Sequence, residues 1–199
     1  MSTYLFQLMA RNAATAGISQ TDTKSAREWF RQQAKRVAEV NVNKLQASNK
    51  SRLFSRFGRE DIGSMISFFY DAKLKDELPY WDQFPLVYPI EIYDDGFLGI
   101  NLHYLPPVLR ARLMDALYTT AITKKDVIQR LKISYQILAS ATKFKPFRPC
   151  IKRYLKNHVK SRFFYIEPTE WDMALMLPTQ RFVGANEQKV WRDSRKKIK

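Results

Sequence analysis

Residues 84–104 read FPLVYPIEIYDDGFLGINLHY, and this stretch decides the fold. Apolar residues alternate with other residues on both sides of the DDG triplet, which predicts two antiparallel strands joined by a tight turn. Gly96 suits such a turn because glycine tolerates a positive φ. Proline lacks a backbone N–H donor, so Pro85 and Pro89 predict that the first strand is either an edge strand or a bulged one.

Further elements lie on either side of this hairpin. The sequence predicts five short strands, at residues 64–70, 84–93, 97–105, 162–167 and 173–177. A helix is expected to begin at Pro106-Pro107, because proline suits the first helical turn, and another helix is expected from Thr123. Together these elements predict an α+β fold, either a small SH3-like β-barrel or a curled antiparallel sheet, with a helical insertion at about residues 107–160.

Charge divides the chain into three parts. Residues 1–60 carry 11 Lys or Arg against 4 Asp or Glu, residues 61–118 carry 4 against 9, and residues 119–199 carry 19 against 6. An acidic, aromatic centre between basic flanks indicates a packed core whose flanks meet a negative partner. We therefore predict a basic N-terminal arm and helix at 1–60, a β core at 61–185 and a basic C-terminal tail at 186–199.

Composition excludes several classes of protein. A hydrophobic content of 45% with 14% aromatic residues supports a buried core in one domain with extensions. The sequence contains no apolar run long enough for a membrane span, and its first residues do not match a signal peptide. Cys150 is the only cysteine, and there are 2 histidines, so neither a disulfide framework nor a structural zinc site is expected.

Motifs for catalysis are also missing from the sequence. It has no Gly-rich phosphate loop, no G-x-S-x-G elbow and no H-E-x-x-H pair. Five aspartates lie between residues 71 and 95, at Asp71, Asp76, Asp82, Asp94 and Asp95. They leave open a metal-dependent nuclease, although turns and solvated loops explain them more simply. His103 is expected to be a structural histidine, and we expect no enzymatic activity, no catalytic residue, no metal and no cofactor.

The strongest binding signal lies between residues 143 and 162. A short helix beginning near Pro149 would place Lys152, Lys156 and Lys160 on one face. The predicted binding residues are Lys143, Lys145, Arg148, Lys152, Arg153, Lys156, Lys160 and Arg162. Three aromatic residues that suit stacking on unpaired bases lie among them, Phe144, Phe147 and Tyr154. Lysine and arginine neutralise DNA phosphates, but the same charges also suit an acidic protein, and the sequence leaves both partners open.

Several segments of the centre resemble a known family. Residues 69–73 read FYDAK, residues 78–87 read LPYWDQFPLV, residues 95–106 read DGFLGINLHYLP, and residues 165–168 read YIEP. Over roughly residues 60–185, the chain resembles small virion structural proteins of T-even-like, contractile-tailed bacteriophages. The resemblance implies a tail, baseplate or neck component, does not separate these from a protein that binds DNA ends, and carries over no catalytic residue.

The sequence therefore favours a non-enzymatic virion structural protein that joins neighbouring subunits. The expected partners are other virion proteins in an oligomeric ring or multi-copy assembly, and no membrane is expected. Such a protein would be synthesised in the host cytoplasm and carried in the virion. The alternative is a DNA-binding phage protein that coats or protects genome ends, with duplex DNA as its partner.

Overall fold

The computed structural model describes residues 53–54, 58–122, 135–166, 171–176 and 179–197. Two predicted features, the arm and helix at the N-terminus and the start of the helix expected from Thr123, lie outside the described residues.

The described residues form a mixed set of strands and helices. The strands are β1 (Leu53–Phe54), β2 (Met65–Ser67), β3 (Trp81–Asp82), β4 (Leu86–Tyr93), β5 (Gly96–Asn101), β6 (Ile151–Leu155), β7 (Phe163–Ile166) and β8 (Phe182–Val183). The α-helices are α1 (Pro107–Ile122), α2 (Tyr135–Ser140), α3 (Trp171–Met176) and α4 (Glu187–Lys196). Short 3-10 helices occupy Arg59–Asp61, Leu102–Tyr104, Thr142–Cys150 and Lys156–His158. Within these ranges, no helix has both the length and the apolar character needed to cross a bilayer.

The strands form two antiparallel sheets. The larger one has six strands in the order β1-β7-β2-β4-β5-β6, and β3 pairs with β8 in a separate two-stranded sheet. The predicted α+β class with an antiparallel sheet is confirmed. Because β1 and β6 lie at opposite edges, the described strands do not close into the barrel that was the other possibility.

The hairpin of β4 and β5 forms as predicted, but its glycine has a different role. The register shifts between Pro89 and Glu91, so β4 is the bulged strand, and it lies inside the sheet rather than at an edge. Gly96 does not have a positive φ. Instead, a Cβ at Gly96 would overlap the carbonyl oxygen of Tyr154. Gly96 is needed because the β6 backbone approaches it closely.

Two segments differ from the predicted structure. Ile151–Leu155, expected inside the helical insertion, forms β6, because β5 offers an unpaired edge whose hydrogen bonds override local preference. The helical part of the insertion therefore ends at Cys150. Trp171–Met176, which overlaps the strand predicted at 173–177, forms α3, with buried side chains at helical spacing. Periodicity does not separate helix from strand in such a short apolar run.

Each face of the large sheet carries a buried core. One face packs against the helices through Met65, Leu86, Tyr88, Ile90, Ile100, Leu113, Trp171 and Val190. The other face holds an aromatic cluster that includes Ile66, Phe68, Val87, Phe97, Tyr154 and Phe163. The chain after β2 bridges to the connection between β6 and β7 at Tyr70 and Val159, which encloses this cluster. Most of the central aromatic residues are thus buried within the protein itself.

Helix α4 attaches the C-terminal segment to the core. Val190 is 0% exposed, and the Trp191 Nε1–H donates to the His103 carbonyl oxygen at 2.9 Å. The Asn186 side chain caps the helix by accepting from the Lys189 N–H at 2.9 Å. The region predicted as a basic tail therefore contains a packed helix, which brings its last residues beside β6.

Candidate nucleic-acid interface

The basic residues predicted to bind do not share one helix. The helix expected from Pro149 is not formed, since the chain runs through a 3-10 helix, β6 and a second 3-10 helix. Lys152 and Arg153 are neighbours in a strand, so their side chains point to opposite faces. The predicted alignment of Lys152, Lys156 and Lys160 on one helical face is therefore wrong, because strand pairing decides this segment.

Two of these cations are held by the acidic turn of the hairpin. Arg153 forms an ion pair with Asp95, and its guanidinium carbon lies 4.2 Å from the centroid of the Tyr93 ring. The Lys156 Nζ donates to the Asp94 carbonyl oxygen at 3.1 Å. The turn thus offsets part of the positive charge at these two positions.

Four other predicted residues have exposed side chains. We call Lys145, Arg148, Lys160 and Arg162 the outer basic group. The side chain of Lys143 lies outside the described part of the chain. Of the aromatic candidates, Phe144 and Tyr154 are buried, with 4% and 3% exposure, and Phe147 is half-buried against the core. The outer basic group is therefore available for phosphate contacts, whereas the neighbouring phenylalanines mainly stabilise the fold.

A cleft with a volume of about 340 Å³ lies beside β6, which is within the usual range of small-molecule sites. Its walls come from the loop at residues 71–80, from β6 and from the C-terminal end of α4. Most of its surface is apolar. We call it the aromatic cleft after its lining residues Tyr70, Tyr80, Trp81, Tyr104 and Tyr154.

Lysine side chains also line the aromatic cleft. Lys73, Lys152 and Lys197 belong to its wall, and the Lys152 Nζ lies 4.0 Å from the centroid of the Tyr104 ring. Burial lowers the pKa of Lys152 to about 8. Among the residues that the structure describes, no carboxylate forms an ion pair with any of the three. The cleft therefore combines aromatic surface with positive charge that no carboxylate of the described residues pairs with.

Asp82 is the carboxylate in the cleft wall, and its acceptor positions are already used. Its Oδ2 lies 2.8 Å from His103 Nδ1 and accepts from Asn101 Nδ2 at 3.2 Å. Its Oδ1 accepts from the backbone N–H groups of Phe84 and Arg181, each at 3.1 Å. Burial raises the pKa of Asp82, but His103 and the other donors outweigh burial and hold it below its ordinary range. Asp82 is therefore ionised and fully hydrogen-bonded.

His103 is fully buried, whereas the sequence predicted a structural histidine at the surface or only partly buried. Burial lowers its pKa and outweighs the attraction of Asp82. The neutral ring donates through Nδ1 to Asp82, and its Nε2, 3.1 Å from Thr179 Oγ1, accepts from that hydroxyl. The carboxylates that suggested a nuclease are not brought together, since no group of three or more potential metal ligands occurs among the described residues.

The wall of the aromatic cleft contains hydrogen-bond donors with no acceptor among the described residues. Ser194 is 2% exposed, and its Oγ has no hydrogen-bond partner there. The Tyr70 hydroxyl accepts from the Leu155 N–H at 3.3 Å, and the Tyr154 hydroxyl accepts from Asn101 Nδ2 at 3.0 Å. Burial raises the pKa of both tyrosines, so both keep a proton to donate. A ligand with several acceptor oxygens would match these donors.

Among the residues that line the cleft, sequence reasoning selected Lys152, Arg153 and Tyr154 but not Lys73, Ser194 or Lys197. Lys73 lies in the acidic centre and Ser194 in the region predicted as a tail, so no motif spacing connects them. The density of basic residues near Lys152 was the one usable signal. The other positions became visible only when the loop at 71–80 and α4 were placed beside β6.

Exposed cations and a lysine-lined aromatic cleft define a protein suited to a polyanionic partner. Comparison with protein families matches residues 6–194 to the family described as phage T4 terminal DNA protecting protein. The match covers nearly the whole chain, so the protein belongs to this family. No curated protein and no solved structure gave a match.

Family membership confirms that this is a protein of T4-like phages, as the resemblance implied. The prediction of a tail, baseplate or neck component is wrong, because the family is described by the protection of DNA termini. The central segments that carried the resemblance did not distinguish these groups. The alternative prediction, a phage protein at genome ends, agrees better with the family.

Proposed function

We propose that this protein binds the ends of phage duplex DNA and protects them from degradation. The family match over residues 6–194 is the observation that carries the proposal. A formal net charge of +15 supports it, because release of counterions from DNA favours association with basic proteins. The outer basic group supplies contacts to phosphates, which position a protein on DNA without reading its sequence.

We propose that protection works by covering the end, without catalysis. The hydrogen bonds of Asp82 leave it no free acceptor for a metal or a water, and His103 is buried and neutral. These two residues therefore support a structural network better than an acid–base pair. The protein would act at genome ends in the virion. Assembly of several copies at an end, together with other virion proteins, stays a prediction.

Two DNA molecules of the same sequence, one linear and one covalently closed, test the proposed function. The protein is added to both, and an exonuclease that digests from duplex ends is then added to the linear DNA. Retention of full-length linear DNA is expected, and excess closed circles should not remove the protection. Complete digestion at saturating protein would overturn the proposal. A parallel incubation with Mg²⁺ and no exonuclease checks the proposal that the protein does not cleave DNA. Cleavage in that incubation would show that the protein is an enzyme.

A further inference from the structure

We propose that the aromatic cleft binds the terminal nucleotide of a DNA strand, with its phosphate monoester at the lysines and its base on the aromatic wall. The inference rests on the proposed function and adds a site and a ligand chemistry to it. A site for the strand terminus would distinguish a DNA end from the interior of a duplex.

The shape of the cleft selects against intact duplex. A concave site of about 340 Å³ can admit one unpaired nucleotide, whereas paired bases stacked in a helix cannot enter it. Leu74 and Leu78 line the cleft and are 49% and 42% exposed, which is unusual for large apolar side chains. They extend the apolar surface available to a base or a sugar.

The charge of the cleft favours a terminal phosphate. A phosphate monoester carries a charge of about −1.5 to −2 near neutral pH, more than an internal phosphodiester does. Lys73, Lys152 and Lys197 have no ion-pair partner in the described structure, so their charge is available to a ligand. Arg153 also lines the cleft but is already paired with Asp95. Asp82 adds one negative charge and no free acceptor.

Ser194 is the residue whose hydrogen bonding most directly favours a ligand in the cleft. Its hydroxyl is buried in the cleft wall and has no partner among the described residues, which is costly unless a ligand supplies an acceptor. The phenolic protons of Tyr70 and Tyr154 add two further donors. Phosphate oxygens accept several hydrogen bonds at once, which fits three hydroxyl donors beside lysines.

The aromatic wall suits a base of any identity. Stacking on tyrosine and tryptophan uses the π-face that every base has, and therefore tolerates sequence. Trp81 is 8% exposed and belongs to the core, whereas the neighbouring Tyr80 is half-buried, so Tyr80 is the ring of this wall most available to a base. An end-binding protein needs this tolerance if it acts on ends of different sequence.

Labelled hairpin duplexes with one blunt end test the proposal. Three ends are compared by fluorescence anisotropy: a 5′-phosphate, a 3′-phosphate and an end with hydroxyls alone. We expect a preference of about tenfold or more for a phosphorylated end, and the better of the two phosphates identifies which strand terminus enters. Lys73→Gln and Lys152→Gln should each reduce this preference severalfold. Lys75→Gln is the matched control, because Lys75 is bound to Asp71 and does not line the cleft.

A mononucleotide titration separates this inference from the proposed function. Deoxyadenosine 5′-monophosphate should raise the melting temperature of the protein, and deoxyadenosine should raise it much less. Ser194→Ala should weaken the nucleotide effect while the unliganded protein keeps its fold. Equal binding of phosphorylated and hydroxyl ends, or a preference unchanged in Lys73→Gln, would overturn the inference. If linear DNA is still protected in that case, the proposed function stands and this cleft is not the end-binding site.

Discussion

Arg110 shows how a single residue holds separate parts of the fold together. It is 0% exposed, and its Nε donates to the Leu105 carbonyl oxygen at 2.7 Å. Its Nη1 donates to the Leu175 carbonyl oxygen at 3.1 Å, and its Nη2 donates to Gln180 Oε1 at 3.1 Å. Burial lowers the pKa of Arg110 to about 10, which still leaves it charged near neutral pH. One guanidinium therefore joins α1, α3 and the segment before β8.

Replacing Arg110 should be strongly destabilising. Arg110→Met should lower the free energy of unfolding by about 3 kcal/mol, because each buried acceptor left without a donor costs about 1–3 kcal/mol. Arg110→Lys should also be destabilised, since an ammonium cannot present the same planar set of donors as a guanidinium. Arg192, which is exposed in α4, provides the control, and Arg192→Met should change stability by about 0.5 kcal/mol or less. Urea unfolding measures all three variants, and similar destabilisation at positions 110 and 192 would contradict the role of Arg110.

The buried pair of Asp82 and His103 should make the fold sensitive to acid. The pKa of His103 is lowered in the fold from its ordinary value of about 6.5, so the unfolded chain takes up a proton that the folded chain refuses. Stability should therefore fall as pH drops below about 6.5, and the lowered pKa of Asp82 should add a further decrease below about pH 4.

The melting temperature as a function of pH measures this effect. His103→Asn keeps a donor near the position of Nδ1 but removes the titrating ring, so its decline between about pH 7 and pH 5 should be smaller than that of the unchanged protein. A melting temperature of the unchanged protein that is constant over this range would rule out a neutral buried His103.

At the scale of elements, the sequence predicted correctly those features that depend on neighbouring residues, such as turns and bulges. The turn at Asp94-Asp95 and the bulge at Pro89 form where the sequence predicted them, although Gly96 lies in β5 and does not have the positive φ expected of it. Ile151–Leu155 was not, because its strand structure depends on pairing with β5, about fifty residues earlier in the chain. Trp171–Met176 was ambiguous for a different reason, since so short a segment, apolar except for Asp172, fits both periods.

The close approach of Gly96 to β6 gives a prediction at this scale. Gly96→Ala should cost about 1–3 kcal/mol, because its Cβ would push against the backbone of Tyr154 and displace the edge strand. The adjacent Asp95→Ala removes an ion pair whose carboxylate is 69% exposed, and should cost about 1 kcal/mol or less. Denaturant unfolding compares the two variants. A larger destabilisation at Asp95 would mean that the ion pair, and not the close approach, holds β6 in place.

At the scale of the whole molecule, the sequence indicated a negatively charged partner, left DNA and an acidic protein open, and did not predict the cleft that we propose as a binding site. The separation of charge between centre and flanks is visible in the composition of the segments alone. The aromatic cleft is not visible there, because Lys73, Lys152 and Ser194 come from three distant segments that meet only after folding. The predicted basic group was also divided by the fold, with Arg153 and Lys156 turned onto the hairpin.

Two separate surfaces should therefore control affinity and recognition of ends. In our proposal, the outer basic group contacts phosphates that any duplex can supply. Changing Lys145, Arg148, Lys160 and Arg162 together to Gln should weaken binding to linear and closed DNA alike. The slope of log affinity against log salt should shrink by about 0.9 for each phosphate that is no longer neutralised, over about 50–200 mM salt. The cleft variant Lys73→Gln/Lys152→Gln should instead abolish the preference for linear DNA. Its slope of log affinity against log salt should stay close to that of the unchanged protein.

The matched control for this comparison is Lys75→Gln/Lys156→Gln. It removes as many charges as the cleft variant, but from side chains that bind Asp71 and Asp94 and do not line the cleft, so we expect a smaller change in the salt slope and in the preference for linear DNA. Anisotropy titrations on linear and closed DNA at several salt concentrations measure slope and preference in the same experiment. If the outer and cleft variants reduced slope and preference in the same proportion, one continuous surface would bind DNA, and the division of roles would be wrong.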